Sequence, residues 1–230
     1  MLTIGIVDDG VGIFPTLTKL KQVVSARFVC QILSEHFPLG NKSGKELYEV
    51  GFNSVKKLTE LGCDAVVLSS VALSSRCLRP LSLAHPELTI FGCDAPVMHA
   101  STYTASNVLV VGDRFVTRSV NLSGVIAEAM PEFPALAEVG DERAIVGYVS
   151  ECCERLYGQF DCIALANSSM NLYKRCFSRV FPNVQIFDSL EGVARHVRKK
   201  YKKFPKDEST VTLIDASGNE ISEKYSIFLE

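Results

Sequence analysis

The chain's pattern predicts an α/β fold of two pseudo-symmetric, doubly wound parallel-sheet lobes with a cleft between them. Three observations carry that prediction. Short apolar runs alternate with helix-like segments along the whole chain, as buried parallel strands alternate with crossover helices. Two of those runs answer each other: residues 64–68 pass into Ser69 and Ser70, and residues 161–166 pass into Asn167, Ser168 and Ser169. Each stops at small polar residues, as a buried strand does when it delivers side chains to a cleft. The two runs lie in different halves, so one lobe presents Ser69 and Ser70 to the other's Asn167, Ser168 and Ser169.

With 230 residues, 47% hydrophobic and 22% charged, the chain suits one large α/β domain or two small lobes around a real core. The formal charge of −2 argues against nucleic acid or an anionic membrane as partner. The basic run over 195–206 reads as the solvated last turns of a helix, with cations at its C-terminal end. None of the eight cysteines forms a C-x-x-C pair, and no His stands at zinc-finger spacing, so no metal site is expected. The first residues open directly on a strand without a leader pattern, and no apolar run reaches the ~20 residues of a membrane span. A reducing, cytoplasmic compartment is expected.

Residues 2–7 form the first strand, which ends at Asp8-Asp9-Gly10-Val11-Gly12. That is neither a complete dinucleotide fingerprint nor a P-loop. A helix over 16–24 and a strand over 27–33 follow. Residues 36–43 are a turn-rich loop, and Ser43 with Glu46 makes a capping box for a helix that Gly62 stops near Leu61. After the 64–68 strand come a helix over 73–83, interrupted near Pro80, and a strand over 88–91 that ends at Cys93 and Asp94. The pattern then restarts with a strand over 107–111 and a helix over 115–130. A short strand over 136–139 and a helix over 141–157, capped by Asp141, come next. Beyond the 161–166 strand lie a helix near Leu172, a strand over 184–187 and a helix that Asp188 caps and that runs to Tyr201. The tail, 210–229, reads as a hairpin turning at Ser217-Gly218-Asn219. The lobes are expected at 1–96 plus 188–230 and at 97–187.

Six stretches, taken in order, resemble the glutamate racemase family, the cofactor-independent Asp/Glu racemases. I-G-I-V-D-D-G-V-G at 4–12 is similar to that family's I-G-V-F-D-S-G-V-G. Phe37-Pro38-Leu39-Gly40 with Lys42-Ser43 resembles its V-P-Y-G-x-K-S loop. The 65–74 stretch falls where the family has A-C-N-T-A, and 110–119 resembles I-G-T-x-x-T-x-x-S. The 165–172 stretch falls at L-G-C-T-H-Y-P-L, and 186–189 is similar to L-I-D-S. The resemblance spans about residues 2–200 and implies two α/β lobes, a site between them, no cofactor and a homodimer. It also implies as ligand a small acidic amino acid or carboxylate.

In that family two thiols, one per lobe, serve as base and acid on opposite faces of an α-carbon. Here the carry-over places Ser70 at the first thiol and Asn167 at the second. Val71 and Ala72 replace the Asn and Thr beside the first, Ser169 the His beside the second, and Asp9 the Ser after the first Asp. Asp8, Gly40, Ser43, Thr117, Ser119 and, conservatively, Ser168 remain. The resemblance places Asp8 with Ser70 and Asn167 at the reacting centre. It places Asp9, Pro38, Gly40, Ser43, Ser69, Thr117, Ser119, Ser168 and Ser169 around the ligand. A Ser hydroxyl without a base is too weak an acid to act as a thiolate, and an Asn amide transfers no proton near neutral pH. The expectation is a binding or regulatory protein without two-thiol racemisation. The alternative is an active isomerase, racemase or decarboxylase that uses Asp8, Asp9, Cys93 or Asp94 as its base, and His36 sits in the loop that would cover the cleft.

Overall fold

Among the described residues, nine parallel strands sort into two sheets that repeat one strand order. The structure, a computed structural model, describes residues 1–104, 107–201 and 208–229. The basic run's residues 202–206 therefore lie outside the described residues. The first half runs β1 (Thr3–Asp8), α1 (Ile13–Lys21), β2 (Arg27–Ile32), α2 (Gly44–Glu60), β3 (Ala65–Leu68), α3 (Val71–Ala84), β4 (Thr89–Gly92) and α4 (Val97–Tyr103). The second runs β5 (Val108–Gly112), α5 (Arg114–Ser119), β6 (Val125–Ala129), α6 (Phe133–Val139), α7 (Glu142–Cys153), β7 (Cys162–Ala166), α8 (Ser168–Leu172), α9 (Lys174–Val180), β8 (Gln185–Phe187) and α10 (Leu190–Tyr201). β9 (Thr210–Ile214) closes the described chain, followed by 3₁₀ turns over Ser222–Phe228.

The first sheet has the order β4-β3-β1-β2-β9 and the second β6-β5-β7-β8. Read from the opposite edge, the second is 8-7-5-6, which is 4-3-1-2 over again. In each sheet the chain leaves a central strand in one direction and later returns to its other side, at β1/β3 and at β5/β7. Such a reversal opens a crevice at the strands' carboxyl ends. The central strands β1, β3, β5 and β7 are fully buried, which is why they read as unbroken apolar runs.

Local chemistry sets the boundaries. The Ser43 hydroxyl accepts from Glu46 N while the Glu46 carboxylate accepts from Ser43 N, so the capping box forms. Gly62 takes φ +78° beyond the end of α2, a conformation that strains any other residue. Asp141 caps α7 by accepting from Arg143 N and Ala144 N. One apolar cluster runs from Ile4, Ile6 and Phe28 of the first sheet through Ile13, Phe14 and Leu17 of α1. It continues to Met170 of α8 and Leu109 and Ile163 of the second sheet, so the lobes share buried surface.

Four elements differ from the sequence reading. α5 stops at Ser119, and residues 125–129, expected in the same helix, form edge strand β6 against β5. Gly124 at φ +74° turns the chain there. The stretch expected as a short strand at 136–139 belongs to α6, which places Phe133 and Ala137 in the core. α3 runs unbroken through Pro80, which lies two turns beyond its start. The tail is no hairpin. β9 pairs in parallel with β2, and after a turn at 215–219, with a single bridge between Ile214 and Glu220, the chain coils into 3₁₀ turns. There Phe228 stacks on Phe14 at 4.5 Å.

Candidate functional site

Both crevices open toward each other, and the groups at their strand ends line one cavity. From the first lobe come Asp8, Asp9, Gly10 and Gly12 after β1, Ser70 after β3, and Phe37, Pro38 and Gly40 from the loop before α2. From the second come Asp113 after β5, Pro134 and Glu138 from α6, and Asn167, Ser168 and Ser169 after β7. The cavity holds about 10 Å³, the space of about one water.

The lobes meet at glycines. A Cβ on Gly12 would lie 2.8 Å from Ser169 N, and one on Gly40 2.8 Å from Asp113 Cβ. A Cβ on Gly10 would strike the Glu138 carboxylate. Hydrogen bonds cross at the same places. Val11 N donates to Glu138 Oε1 at 2.6 Å, and Ser168 Oγ donates to Asp8 Oδ1 at 3.1 Å.

Each polar side chain in the cavity has an assigned partner, and one buried carboxyl oxygen has none. Asp9 Oδ2 accepts from Leu39 N at 2.6 Å and so anchors the 37–40 loop. Asn167 Nδ2 donates to Asp113 Oδ1 and Oδ2 at 3.0 and 3.1 Å, while its Oδ1 accepts from Ser169 N and Oγ. Ser70 Oγ accepts from Leu73 N at 3.4 Å as the cap of α3. Asp8 is 1% exposed, its Oδ1 accepts from Asp9 N, and its Oδ2 accepts no hydrogen bond.

Burial sets the electrostatics. It holds the Asp8 carboxyl well above the usual carboxylate range, and the Asp9 charge adds to that. Burial also raises Asp9, against the opposing donation from Leu39 N. Asp113 is pushed up to about 7, mainly by burial and further by Asp9, with the Asn167 amide pulling the other way. Glu138 is raised by partial burial. The Asp113 carboxyl therefore exchanges its proton near neutral pH.

Of the residues expected around the ligand, Asp8, Asp9, Pro38, Gly40, Ser70, Asn167, Ser168 and Ser169 come together. Four others stand elsewhere. Ser43 caps α2. Ser69 Oγ shares a hydrogen bond with Thr16 Oγ1 at 2.8 Å and acts on the Asp8 carboxyl without lining the cavity. Thr117 donates to Asp113 O and Ser119 to Val116 O, each closing a turn of α5. Cys93 is fully buried, and burial, with the Asp8 charge adding to it, raises its thiol well above the ordinary value against the Thr16 and Ser189 hydroxyls. Asp94 lines a separate hollow of about 250 Å³ with His99, Asp188 and His196. His36 does not line the cavity.

Asp113 and Glu138 were missed. Asp113 had a signal. The last ladder pairs of the two central couples are Val7–Leu68 and Gly112–Ala166, and in both an Asp follows on the first strand. Asp113 is thus the second lobe's counterpart of Asp8, and it stands where the family's motif has Thr. Glu138 comes from a helix that the sequence presents as a strand and gave no signal.

No family model matches the chain. Among curated relatives, the glutamate racemase of Campylobacter concisus (strain 13826) is 24% identical over 214 residues, covering 85% of this chain and 81% of the relative. That of Persephonella marina is 23% identical over 217 residues, covering 86% and 82%. Among solved structures, Thermus thermophilus glutamate racemase in complex with β-chloro-D-alanine superposes with a TM-score of 0.83 at 21% identity, covering 99% and 91% of the two chains. Escherichia coli glutamate racemase in complex with L-glutamate and the activator UDP-MurNAc-Ala gives 0.80 at 18%, covering 93% and 88%. The chain is similar to the glutamate racemases in sequence over most of its length and shares their two-lobed α/β fold, so its resemblance to the Asp/Glu racemase family holds.

Proposed function

We propose that the protein binds an amino acid or other small carboxylate between its lobes and does not racemise it by a two-thiol route. The observation that carries this is the state of Asn167. At the position the resemblance assigns to the second thiol, both ends of its amide are engaged, by Asp113 and by Ser169. An amide so held positions its neighbours and moves no proton. Ser70 is a helix cap without an imidazole beside it, and no cysteine lines the cavity among the described residues. The eight free thiols suit a reducing, cytoplasmic setting, no described helix is long and apolar enough to cross a membrane, and a homodimer follows from the resemblance.

The test is α-proton exchange in D₂O over a panel of D- and L-amino acids at high protein loading, paired with thermal unfolding. A saturable rise in melting temperature without α-exchange supports the reading. Exchange on any amino acid refutes it.

Exchange would favour a second reading, an isomerase, racemase or decarboxylase worked by carboxyls. Asp8 and Asp9 face the cavity with raised pKa, and Asp113 opposes them from the other lobe. A positioned acid and base of this kind is worth roughly 10²–10⁴-fold in rate. In that reading Asp8 or Asp9 is the base, rather than Cys93 or Asp94.

A further inference from the structure

Four carboxyl groups converge on the cavity, Asp8 and Asp9 from the first lobe and Asp113 and Glu138 from the second, and among the described residues no Lys or Arg lines it. Lys42 and Lys224 act on Asp9 and Glu138 from outside. A ligand with a second carboxylate would add like charge to this surface. Asp113 sharpens the point. The family's motif has a Thr there, whose hydroxyl can donate to a carboxylate, whereas an ionised Asp only accepts. Its amide partner donates to both of its oxygens, and Asp113 still lines the cavity.

An independent observation concerns Asp8. It lines the cavity, is 1% exposed, and carries an Oδ2 with no assigned hydrogen bond, although the Ser69 hydroxyl and the Asp9 carboxyl both act on the Asp8 carboxyl. Buried carboxylate oxygens are ordinarily paired, and an unpaired one facing a cavity calls for a donor from outside the chain. Ammonium and guanidinium groups supply donors and charge together.

We propose that the ligand is a basic amino acid, whose cationic side chain seats between Asp113 of one lobe and the Asp8–Asp9 pair of the other. This rests on the amino-acid-binding reading above and names its substrate class. Seating a cation there favours the ionised form of Asp113, which burial pushes up to about 7, so binding near neutral pH releases a proton.

The experiment is isothermal titration calorimetry of the full chain at pH 7 with L- and D-lysine, L- and D-ornithine, L- and D-glutamate and L- and D-aspartate, in two buffers of different ionisation enthalpy. A basic amino acid is expected to bind at least about tenfold more tightly than any acidic one, with proton release. Asp113→Asn should weaken the basic ligand about tenfold or more, and Asp113→Thr should narrow the gap to glutamate. Glu138→Gln, in the last turn of α6, gives a second variant should changes at Asp113 prevent folding, and it should weaken the basic ligand severalfold; unchanged binding of that ligand in both variants overturns the inference. Tighter binding of glutamate or aspartate overturns the inference and leaves the amino-acid-binding reading standing. Failure of every amino acid to bind overturns both.

Discussion

Asp113 offers a measurement that needs no ligand. Its carboxyl is buried at the lobe interface and pushed up to about 7, against 3.8 for an ordinary Asp. The folded chain therefore holds this proton to higher pH than the unfolded chain does. The sign follows: stability from this group is fully present below the ordinary value and is lost as pH rises toward 7. The gap corresponds to a loss on the order of 4 kcal/mol, at about 1.4 kcal/mol per pH unit. Asp113→Asn keeps the shape and one bond to the Asn167 amide but does not titrate. In urea unfolding at pH 5, 6, 7 and 8, the variant should gain on the parent by up to about 1.4 kcal/mol per unit as pH rises, levelling off above 7. Asp8, Asp9 and Glu138 titrate in both proteins and largely cancel, and Lys42 and Lys224 act on them in both. A stability difference that stays flat from pH 5 to 8 would refute the protonated, desolvated Asp113 on which the cleft's electrostatics rest.

Other outcomes follow from the same geometry. Gly12→Ala should drive a methyl against Ser169 N, cost about 1–3 kcal/mol and enlarge the radius of gyration by small-angle scattering, because the lobes must separate to accept it. Ser43→Ala should cost about 1 kcal/mol in urea unfolding through loss of the capping box and leave ligand-induced melting shifts unchanged, since Ser43 stands outside the cavity. Phe133→Ala should cost about 3–5 kcal/mol, because its ring is fully buried and stacks on Phe177 at 5.5 Å between the rings.

What the sequence disclosed depended on whether the deciding interaction was local. The buried central strands and the Ser43–Glu46 cap are written in runs of a few residues, and both were legible. β6 was not. It is a half-exposed edge strand whose Val-Ile-Ala-Glu-Ala reads as well in a helix, and only pairing with β5 decides the matter. β9 was legible as a strand, but its partner β2 lies some 180 residues away and no local pattern names it. In the site, Asp8, Ser70 and Asn167 were legible because strand ends deliver them. Glu138 reaches the cavity only because α6 packs across the lobe boundary, and that is a tertiary fact. Asp113 stands at the end of its strand, where an Asp serves equally well in a turn, so nothing local singles it out. Comparing the two sheets residue by residue reveals its kinship with Asp8.

The glycine contacts and the single-water cavity carry a consequence for time rather than affinity. On the binding reading proposed above, an amino acid reaches Asp8 only when the lobes part, so encounter and capture are separate events. Observed association rates should rise with ligand concentration and then plateau at the rate of parting, independent of the ligand's own affinity. The equilibrium constant is weakened by the fraction of time the cleft stands closed. A change that loosens Gly10, Gly12 or Gly40 from the opposite lobe would raise that plateau first, so the gatekeepers of this protein are positions that bear no side chain.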